Sequence, residues 1–208
     1  MQGNSKAPVP TLARLATYFS VLGDVQKHGI VFINSSMIED RCGISASQVR
    51  KDLSHFGEVG KPGVGYEVVR LRKHIGRVLK LDRTQRVVII GAGRLGQALV
   101  AYPGLAEYGF EVAGIFDNDP NVVGTPVSGL VVRDAAGMHA LLPALNAKIA
   151  VLTVPGPAAQ QAADLVIEGG VRRILNFSPA HIKVPQNCMV RDVSFTQEFA
   201  VLAHYSED

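Results

Sequence analysis

Cysteine and tryptophan are scarce in this sequence, and long apolar runs are missing. The 208 residues include two cysteines, Cys42 and Cys188, and no tryptophan. Neither cysteine has a second Cys or His at ligand spacing, so we expect free thiols and no metal site. No apolar run approaches the roughly 20 residues that cross a bilayer, and the N-terminus lacks the apolar core of a signal peptide. We therefore expect a cytoplasmic protein without a membrane partner.

Charge is divided unevenly along the chain. Residues 1–86 carry 14 Lys and Arg against 7 Asp and Glu, whereas residues 87–208 carry 7 against 11. A basic module followed by an acidic one indicates two modules with different partners, and the basic one is suited to DNA. We expect a domain at 1–83, a second at 84–194 and a C-terminal helical segment at 195–208.

The basic module has the sequence pattern of a helix-turn-helix. Apolar residues at helical spacing up to Leu22 predict a first helix from Thr11, its expected cap. Ser36–Glu39 and Ser45–Gln48 each have the pattern of a capping box, and they predict two further short helices. Gly43 supplies the turn between them, and two short helices joined in this way are a helix-turn-helix.

A glycine-rich loop follows the third predicted helix. It ends in Tyr66–Val69, which we predict as a strand, and residues 70–83 are predicted as a basic connecting helix. A hairpin at this place completes a winged helix-turn-helix domain. Lys61 lies in this wing, where we expect it to follow the DNA backbone or enter the minor groove.

The third helix carries side chains that suit DNA recognition, because residues near the start of a recognition helix reach base edges in the major groove. We expect Gln48 to read adenine, Arg50 to read guanine and Lys51 to bind phosphate. Ser36 is expected at the DNA backbone. The alternative is that Arg50 and Lys51 form only a solvated helix face. The candidate DNA-binding residues of the helices are Ser36, Ser45, Ser47, Gln48, Arg50 and Lys51.

The acidic half alternates strands with helices, which implies a parallel sheet with right-handed crossovers. The predicted strands are Val87–Ile90, Glu111–Phe116, Ile149–Val154 and Arg173–Leu175. The predicted helices are Leu95–Tyr102, Ala135–Leu142, Ala158–Glu168 and a last one at Thr196–His204. Residues 191–195 show no pattern that assigns them a role.

A dinucleotide fingerprint lies at the start of this half. Gly91-Ala92-Gly93-Arg94-Leu95-Gly96 follows the first predicted strand and opens a helix, and Asp117 follows the second strand. Gly91 permits the tight turn, Gly93 lets the pyrophosphate approach, and Gly96 lets the helix pack on the strand. Asp117 is expected to bind ribose hydroxyls and to repel a 2′-phosphate, which favours NAD(H) over NADP(H). The alternative is a Rossmann-like domain that binds another nucleotide, or none.

Thr153-Val154-Pro155 ends a later predicted strand. In an open parallel sheet the carboxyl ends of strands line the ligand crevice, so we expect this loop near the nicotinamide. A plain strand-to-helix turn is the alternative. Asn176–Pro179 occupies the same position after the next strand.

Together these motifs resemble the Rex family of bacterial redox-sensing transcriptional repressors. The two most specific matching runs are Gln48–Gly57 and Gly60–Tyr66. Further matching segments are Gly91–Gly96, Tyr102–Gly104, Phe116–Asp117, Thr153–Pro155 and Ile174–Phe177. The resemblance covers nearly the whole chain.

The resemblance implies a homodimer in which each subunit joins an N-terminal winged helix to a C-terminal Rossmann-like domain and exchanges its C-terminal helix. It implies a repressor, not an enzyme, that senses NADH against NAD+ and releases double-stranded operator DNA when NADH binds. Gly63 and Tyr66 are then further candidate DNA contacts in the wing. Tyr102 and Phe195 are candidate contacts of the nicotinamide region and the dimer interface.

Two positions depart from the family pattern. Where the resemblance implies an Arg–Asp ion pair, this chain has Ser20 and Ser194, and Arg14 and Asp192 are nearby substitutes. A DNA-binding regulator with an altered or lost NADH response is therefore one alternative. An NAD-dependent dehydrogenase is another, and it needs a proton-transfer residue. The histidine that follows a strand end in the cofactor half is His181, for which we expect a surface or packing role.

Overall fold

A computed structural model describes residues 7–58 and 60–206. The chain divides into two compact units, Met1–Arg83 and Thr84–Asp208. Residues 1–6, 59, 207 and 208 lie outside the described part. Among the described residues, no helix combines the length and the apolar character that a bilayer crossing requires.

The described residues of the first unit form four helices and a small antiparallel sheet. Its helices are α1 (Val9–Lys27), α2 (Ser35–Cys42), α3 (Ala46–His55) and α4 (Val68–Val78), and its strands are β1 (Phe32–Ile33) and β2 (Tyr66–Glu67). All four helices contribute fully buried side chains to the core, including Leu15, Leu22, Ile38, Leu53, Leu71 and Ile75. The predicted helix-turn-helix corresponds to α2 and α3.

The predicted starts of α1 and α2 were wrong. Helix α1 begins at Val9, two residues before Thr11, and carries a proline in its first turn, where a missing N–H breaks no helical hydrogen bond. Helix α2 is capped by Asn34, whose Oδ1 accepts a hydrogen bond from the N–H of Met37 at 2.9 Å. Asn34 caps as well as serine does, so Ser36 lies inside the helix instead of starting it.

Helix α3 begins after Ser45, which is the predicted cap. The Oγ of Ser45 accepts a hydrogen bond from the N–H of Gln48 at 3.3 Å. Among the described residues the Gln48 side chain does not accept from the N–H of Ser45 to close the box, and its Nε2 donates to Asp52. Glu39, expected to close the box of α2, accepts a hydrogen bond from the N–H of Ala46 at 3.0 Å and thereby caps the start of α3.

The wing is smaller than predicted. Strand β2 covers two residues and pairs with β1, and α4 starts at Val68, so the predicted strand Tyr66–Val69 was too long. The loop closes on itself through two backbone hydrogen bonds between Lys61 and Gly65, of 2.8 and 2.9 Å. Gly65 has a φ of +95°, and a Cβ there would lie 2.4 Å from the carbonyl oxygen of Ile33. Only glycine fits at this crossing of the wing over β1.

The second unit is built on a seven-stranded sheet in the order β5-β6-β4-β3-β7-β8-β9. Its strands are β3 (Gln85–Ile90), β4 (Phe110–Asp117), β5 (Pro126–Val127), β6 (Leu130–Asp134), β7 (Ile149–Leu152), β8 (Arg173–Asn176) and β9 (Met189–Asp192). All pairings are parallel except that of β5 with β6. From β6 to β9 the six parallel strands have the order 3-2-1-4-5-6 that dinucleotide-binding sheets share. The prediction of an α/β fold with an N-terminal helical domain is confirmed.

Helices cover both faces of this sheet. They are α5 (Arg94–Val100), α6 (Gly104–Glu107), α7 (Met138–Leu145) and α8 (Gly156–Glu168), with a 3-10 turn at Ala135–Gly137. Alternate residues of β3 enter two separate cores, because side chains alternate across a strand. The last helix, α9 (Phe195–His204), has no buried residue. The strands β5, β6 and β9 and the short helix α6 were not predicted.

Candidate cofactor cleft and DNA-binding surface

The glycine loop joins the end of β3 to the start of α5. Gly91 has a φ of +104°, which favours glycine. A Cβ at Gly96 would lie 1.9 Å from the carbonyl oxygen of Gly91, so the helix and the loop meet at a distance that only glycine allows. A Cβ at Gly93 would meet nothing within 4 Å. The first and third glycines therefore serve the fold, whereas the second borders open space.

Thr153, at the end of β7, supports this loop from the neighbouring strand. Its Oγ1 lies 2.8 Å from the carbonyl oxygen of Gly91 and 3.0 Å from that of Ile90. On the other side, the side-chain amide of Gln97 donates to the carbonyl oxygen of Ala92 at 2.8 Å. Both contacts tie the loop to the elements around it, and the sequence pattern did not predict either.

Asp117, at the end of β4, also holds the loop. Its Oδ2 accepts a hydrogen bond from the N–H of Ala92 at 2.6 Å, and its Oδ1 accepts one from the N–H of Asp119 at 2.9 Å. Each carboxylate oxygen accepts about two hydrogen bonds, so both retain capacity for a ligand. Asp117 thus positions the loop in addition to the ribose role predicted for it.

A cleft of about 760 Å³ opens at this edge of the sheet, between the ends of β3, β4, β6 and β7. Of the predicted cofactor residues, it is lined by Gly91, Gly93, Asp117, Thr153, Val154 and Pro155. Its unpredicted lining includes Asn118, Asp134, Ala135, Met138, Gln161 and Leu165. Thr153–Pro155 thus share one cavity with the proposed ribose residue Asp117.

The other predicted cofactor residues lie outside the lining of this cleft. Ala92 and Gly96 are buried beneath the loop, Leu95 is half-buried and Arg94 is exposed. Tyr102 is 59% exposed. Phe195, at the start of α9, lies against Phe177, which directly follows β8, with ring centroids 6.0 Å apart. Two aromatic rings therefore meet near the carboxyl end of β8.

A buried amide organises the end of β8. Asn176 is 1% exposed, and its Nδ2 donates to the carbonyl oxygen of Ala180 at 2.9 Å and to Oδ1 of Asp192 at 2.8 Å. Its Oδ1 accepts a hydrogen bond from the N–H of Ser178 at 3.0 Å. Of residues 191–195, which had no predicted role, the first two end the edge strand β9 and the last two cap and begin α9. Asp192 links β9 to β8.

Arg14 and Asp192, the two nearby substitutes, each have a partner within their own unit. Arg14 donates from Nε to Oδ2 of Asp52 at 2.6 Å, and Asp192 accepts from Asn176. Ser194 is the cap of α9, where its Oγ accepts a hydrogen bond from the N–H of Gln197 at 3.3 Å. Ser20 lies exposed on α1.

The DNA-binding candidates lie on α2, α3 and the wing of the first unit. Seven of them are exposed, namely Ser36, Ser45, Ser47, Arg50, Lys51, Lys61 and Gly63. Arg50 donates from Nη1 to Oγ of Ser35 at 2.8 Å, so its guanidinium is held at the start of α2. Between Arg50 and the wing lies a cavity of about 430 Å³ that Lys61 and Gly63 also line.

Two of these candidates lie differently from expectation. Tyr66 is only 8% exposed, and a Cβ at Gly60 would lie 3.1 Å from its ring, so the tyrosine supports the wing from inside. Gln48 is half-buried, and its Nε2 donates to Oδ1 of Asp52 at 2.8 Å. One of the two N–H groups of this amide is thereby occupied, which leaves the second N–H and the carbonyl oxygen for another partner.

Asp52 is the centre of a buried network that sequence reasoning missed. Besides Gln48, it accepts hydrogen bonds from Nε and Nη2 of Arg14 at 2.6 and 2.8 Å and from the hydroxyl of Tyr18 at 3.0 Å. Burial raises the pKa of Asp52, but the hydrogen bonds from Arg14, Gln48 and Tyr18 outweigh it and hold the pKa below its ordinary value. Burial and the Asp52 hydrogen bond raise the pKa of Tyr18. The network fastens α3 to α1.

Comparisons with known proteins agree with this division of the chain. Residues 6–54 match the family described as "Putative DNA-binding protein N-terminus". Residues 82–180 match the family described as "CoA binding domain". The first match lies within the first unit, and the second begins two residues before the boundary and otherwise lies within the second unit.

Two relatives match nearly the whole chain and have the same name. The chain is 42% identical to the redox-sensing transcriptional repressor Rex of Desulfitobacterium hafniense, over 95% of this chain and 94% of that protein. It is 42% identical to the Rex repressor of Thermus thermophilus, over 91% and 89% of the two chains.

Solved structures show the same architecture. A crystal structure of RSP in complex with β-NAD+ and operator DNA is 31% identical, with a TM-score of 0.90 over 97% of this chain and 93% of that one. A crystal structure of RSP in complex with β-NADH is 30% identical, with a TM-score of 0.87 over 97% and 94%. The similarity to the Rex relatives spans both units, and the chain belongs to the Rex family of redox-sensing transcriptional repressors.

Proposed function

We propose that this protein is a repressor that holds operator DNA with its first unit and releases it when NADH occupies the cleft of its second unit. One observation carries the proposal, namely that a helix-turn-helix and a dinucleotide cleft at the switch point of a 3-2-1-4-5-6 sheet belong to one chain. The RSP repressor, similar over nearly its whole length, is described with NAD+ and operator DNA and with NADH.

The cleft suits NAD(H) in size and in chemistry. The open space above Gly93 admits a pyrophosphate, and the free lone pairs of Asp117 accept hydrogen bonds from ribose hydroxyls. The negative charge of Asp117 opposes a 2′-phosphate, which favours NAD(H) over NADP(H). Phe195 and Phe177, near the end of β8, are proposed to contact the nicotinamide region, together with Tyr102.

The exposed residues of α2, α3 and the wing are proposed to bind DNA. Arg50 suits a guanine edge and Lys51 a phosphate. Gln48 retains one amide N–H and its carbonyl oxygen for a base edge, because Asp52 accepts from only one of its two N–H groups. Lys61 and Gly63 bring the wing to the backbone or minor groove, and we assign Tyr66 the role of supporting the wing.

We propose a homodimer in which α9 packs on the partner chain. Residues 195–208 then form a dimerisation segment that follows domains 1–83 and 84–194 in the sequence. Helix α9 exposes large apolar side chains, namely Phe195, Phe199, Val201 and Leu202. Exposed apolar surface on this scale marks an interaction site. A repressor of this kind acts on cellular DNA, and we propose a cytoplasmic location. Analytical ultracentrifugation of Leu202→Asp against the parent chain tests the dimer, which the variant is expected to weaken.

Fluorescence anisotropy tests the redox function. The DNA is a duplex selected from a random pool by the ligand-free protein, and the bound complex is titrated with NADH and, separately, with NAD+. NADH is expected to release the duplex, and NAD+ is expected to leave it bound. For a nearly complete switch, NADH must bind the DNA-free state of the protein roughly 10⁴-fold more tightly than the DNA-bound state. Equal release by both ligands contradicts redox sensing. A duplex that stays bound under both, with no NADH binding in calorimetry, indicates a regulator that has lost the response.

We propose that the chain is not an enzyme. His181, the histidine considered for proton transfer, has a side chain that is 88% exposed, and its Nδ1 lies 3.5 Å from Oδ2 of Asp192. NADH consumption against a panel of oxo acids is expected to stay at background. Turnover that disappears in His181→Ala contradicts this part of the proposal.

A further inference from the structure

The position of the adenine base follows from the order of the strands, given the cofactor proposed above. The glycine loop leaves β3, and the ribose residue Asp117 ends the next strand, β4. Strand β6 lies beyond β4, and Asp134 at its end is the register partner of Asp117. A dinucleotide with its pyrophosphate at the loop and its ribose at Asp117 therefore carries its base towards the end of β6.

The walls of the cleft suit a flat base. Ala135 and Met138 line it from the turn and helix after β6, and Ala158, Ala162 and Leu165 line it from α8. An apolar slot binds any purine face by burial and dispersion, so it cannot distinguish one purine from another. Discrimination requires a polar group at the edge of the slot, and Asp134 and Gln161 are the polar side chains that line the cleft beside these walls.

One carboxylate oxygen of Asp134 accepts a hydrogen bond within the protein, and the other is available to a ligand. Its Oδ1 accepts a hydrogen bond from the N–H of Ala136 at 2.8 Å and so caps the 3-10 turn. Among the described residues, none donates a hydrogen bond to its Oδ2. An ionised carboxylate only accepts hydrogen bonds, so the chemistry that completes this site is a donor. Adenine carries such a donor at N6, whereas hypoxanthine carries an acceptor oxygen there.

We propose that Asp134 is a specificity-determining residue that accepts a hydrogen bond from the N6 amino group of the adenine base, beyond the ribose role of Asp117. The inference rests on the proposed function of the cleft. It predicts that the protein prefers NADH to the isosteric dinucleotide in which hypoxanthine replaces adenine.

Calorimetry on the full-length protein tests this, with NADH and reduced nicotinamide hypoxanthine dinucleotide as the two probes. The parent chain is expected to bind NADH about tenfold or more tightly, because a hydrogen bond to a charged group is replaced by two facing acceptors. In Asp134→Asn, Oδ1 is still required by the N–H of Ala136, so Nδ2 faces the base. That amide donates to the hypoxanthine oxygen, and the preference is expected to vanish or reverse.

Two further variants make the test decisive. Asp134→Ser keeps a capping side chain but not its reach, so it is expected to bind both probes with similar affinity even if Asp134→Asn folds poorly. Asp164→Asn is the matched control, since Asp164 lies on α8 outside the cleft lining and accepts from Gln160 at 2.9 Å. It is expected to keep the preference of the parent chain.

The outcomes separate the two proposals. Equal affinity of the parent chain for both probes, or an unchanged preference in both folded Asp134 variants, overturns base reading and leaves NADH binding intact. A parent chain that binds neither probe overturns the proposed cofactor function itself, and base reading falls with it.

Discussion

The two functional regions of this protein hold their binding groups in different ways. The cofactor cleft depends on backbone, because its loop is shaped by glycines and positioned by a carboxylate that accepts a backbone N–H. The DNA-binding unit depends on side chains, because its recognition helix is fastened to α1 by hydrogen bonds from Arg14 and Tyr18 to Asp52. Substitutions in the cleft should therefore act through steric fit, and those in the first unit through charge and hydrogen bonding.

The largest effect is expected in the cleft, from Gly96→Ala. The new Cβ would lie 1.9 Å from the carbonyl oxygen of Gly91, so the loop and α5 must move apart. We expect a loss of about 3 kcal/mol or more in the stability of the second unit, measured by chemical denaturation, together with loss of NADH binding. Gly93→Ala is the control, since its Cβ meets nothing within 4 Å. It should change stability by less than about 0.5 kcal/mol but still weaken NADH binding, and a fully stable Gly96→Ala would refute the steric account.

The second largest effect is expected in the first unit, where a substitution removes a buried charge. Asp52→Asn keeps the shape of the side chain but removes the charge that Arg14 faces, where Asp52 is 3% exposed. We expect the first unit to lose about 3 kcal/mol, measured by denaturation, with NADH affinity unchanged. Tyr18→Phe removes one hydrogen bond and should cost about 1 kcal/mol. Equal losses in the two variants would mean that packing, not charge, fastens α3 to α1.

A smaller effect is expected for Arg50→Ala, which acts on DNA and not on the fold. The variant should bind operator more weakly by about 1–3 kcal/mol and relax the preference for one base pair. Lys51→Ala is the matched comparison, because loss of a phosphate contact weakens all sequences alike and lowers the salt slope by about 1. Anisotropy titrations over a range of salt separate the two. Identical behaviour of both variants would place Arg50 on phosphate.

The smallest expected effect is the change with pH in the stability that the Asp52 network contributes. Because the pKa of Asp52 is lowered in the folded state, its contribution to stability is complete above the ordinary value of 3.8 and disappears as the pH falls through the folded pKa. The stability gap between the parent chain and Asp52→Asn should stay constant from pH 7 to 5 and shrink towards pH 3. Denaturation curves at these three values check it, and a gap that grows in acid would reverse the assigned sign.

The sequence predictions were most accurate for features that depend on residues close together in the chain. The glycine loop and the Ser45 cap were read correctly, because each depends on residues within a few positions of one another. The cap of α2 was misread, since Asn34, Ser35 and Ser36 stand in a row and all are cap-forming types. Strands β6 and β9 were missed because each is only five or four residues long and ends in an Arg-Asp pair, which hides the apolar pattern of a strand.

The residues of the cleft and of the Asp52 network also differ in whether a local sequence motif places them. Asp117, which lines the cleft, could be predicted there because it has a set place in a strand–loop–helix–strand motif. Asp52 carried no such signal, since its partner Arg14 lies 38 residues away. Asp134 was not identified either, because its place beside Asp117 arises from the pairing of β4 with β6.

By itself, the sequence determined that this chain has a basic helix-turn-helix module and a dinucleotide-binding module, and which family it resembles. Those properties depend on caps, glycines and apolar periodicity, which act on the backbone within one or two turns of chain. Only the tertiary structure decided that Asp52 binds Arg14, that Gln48 faces Asp52, and that Asp134 borders the cleft. Such contacts are set by helix packing and strand order, which bring together residues that no local pattern connects.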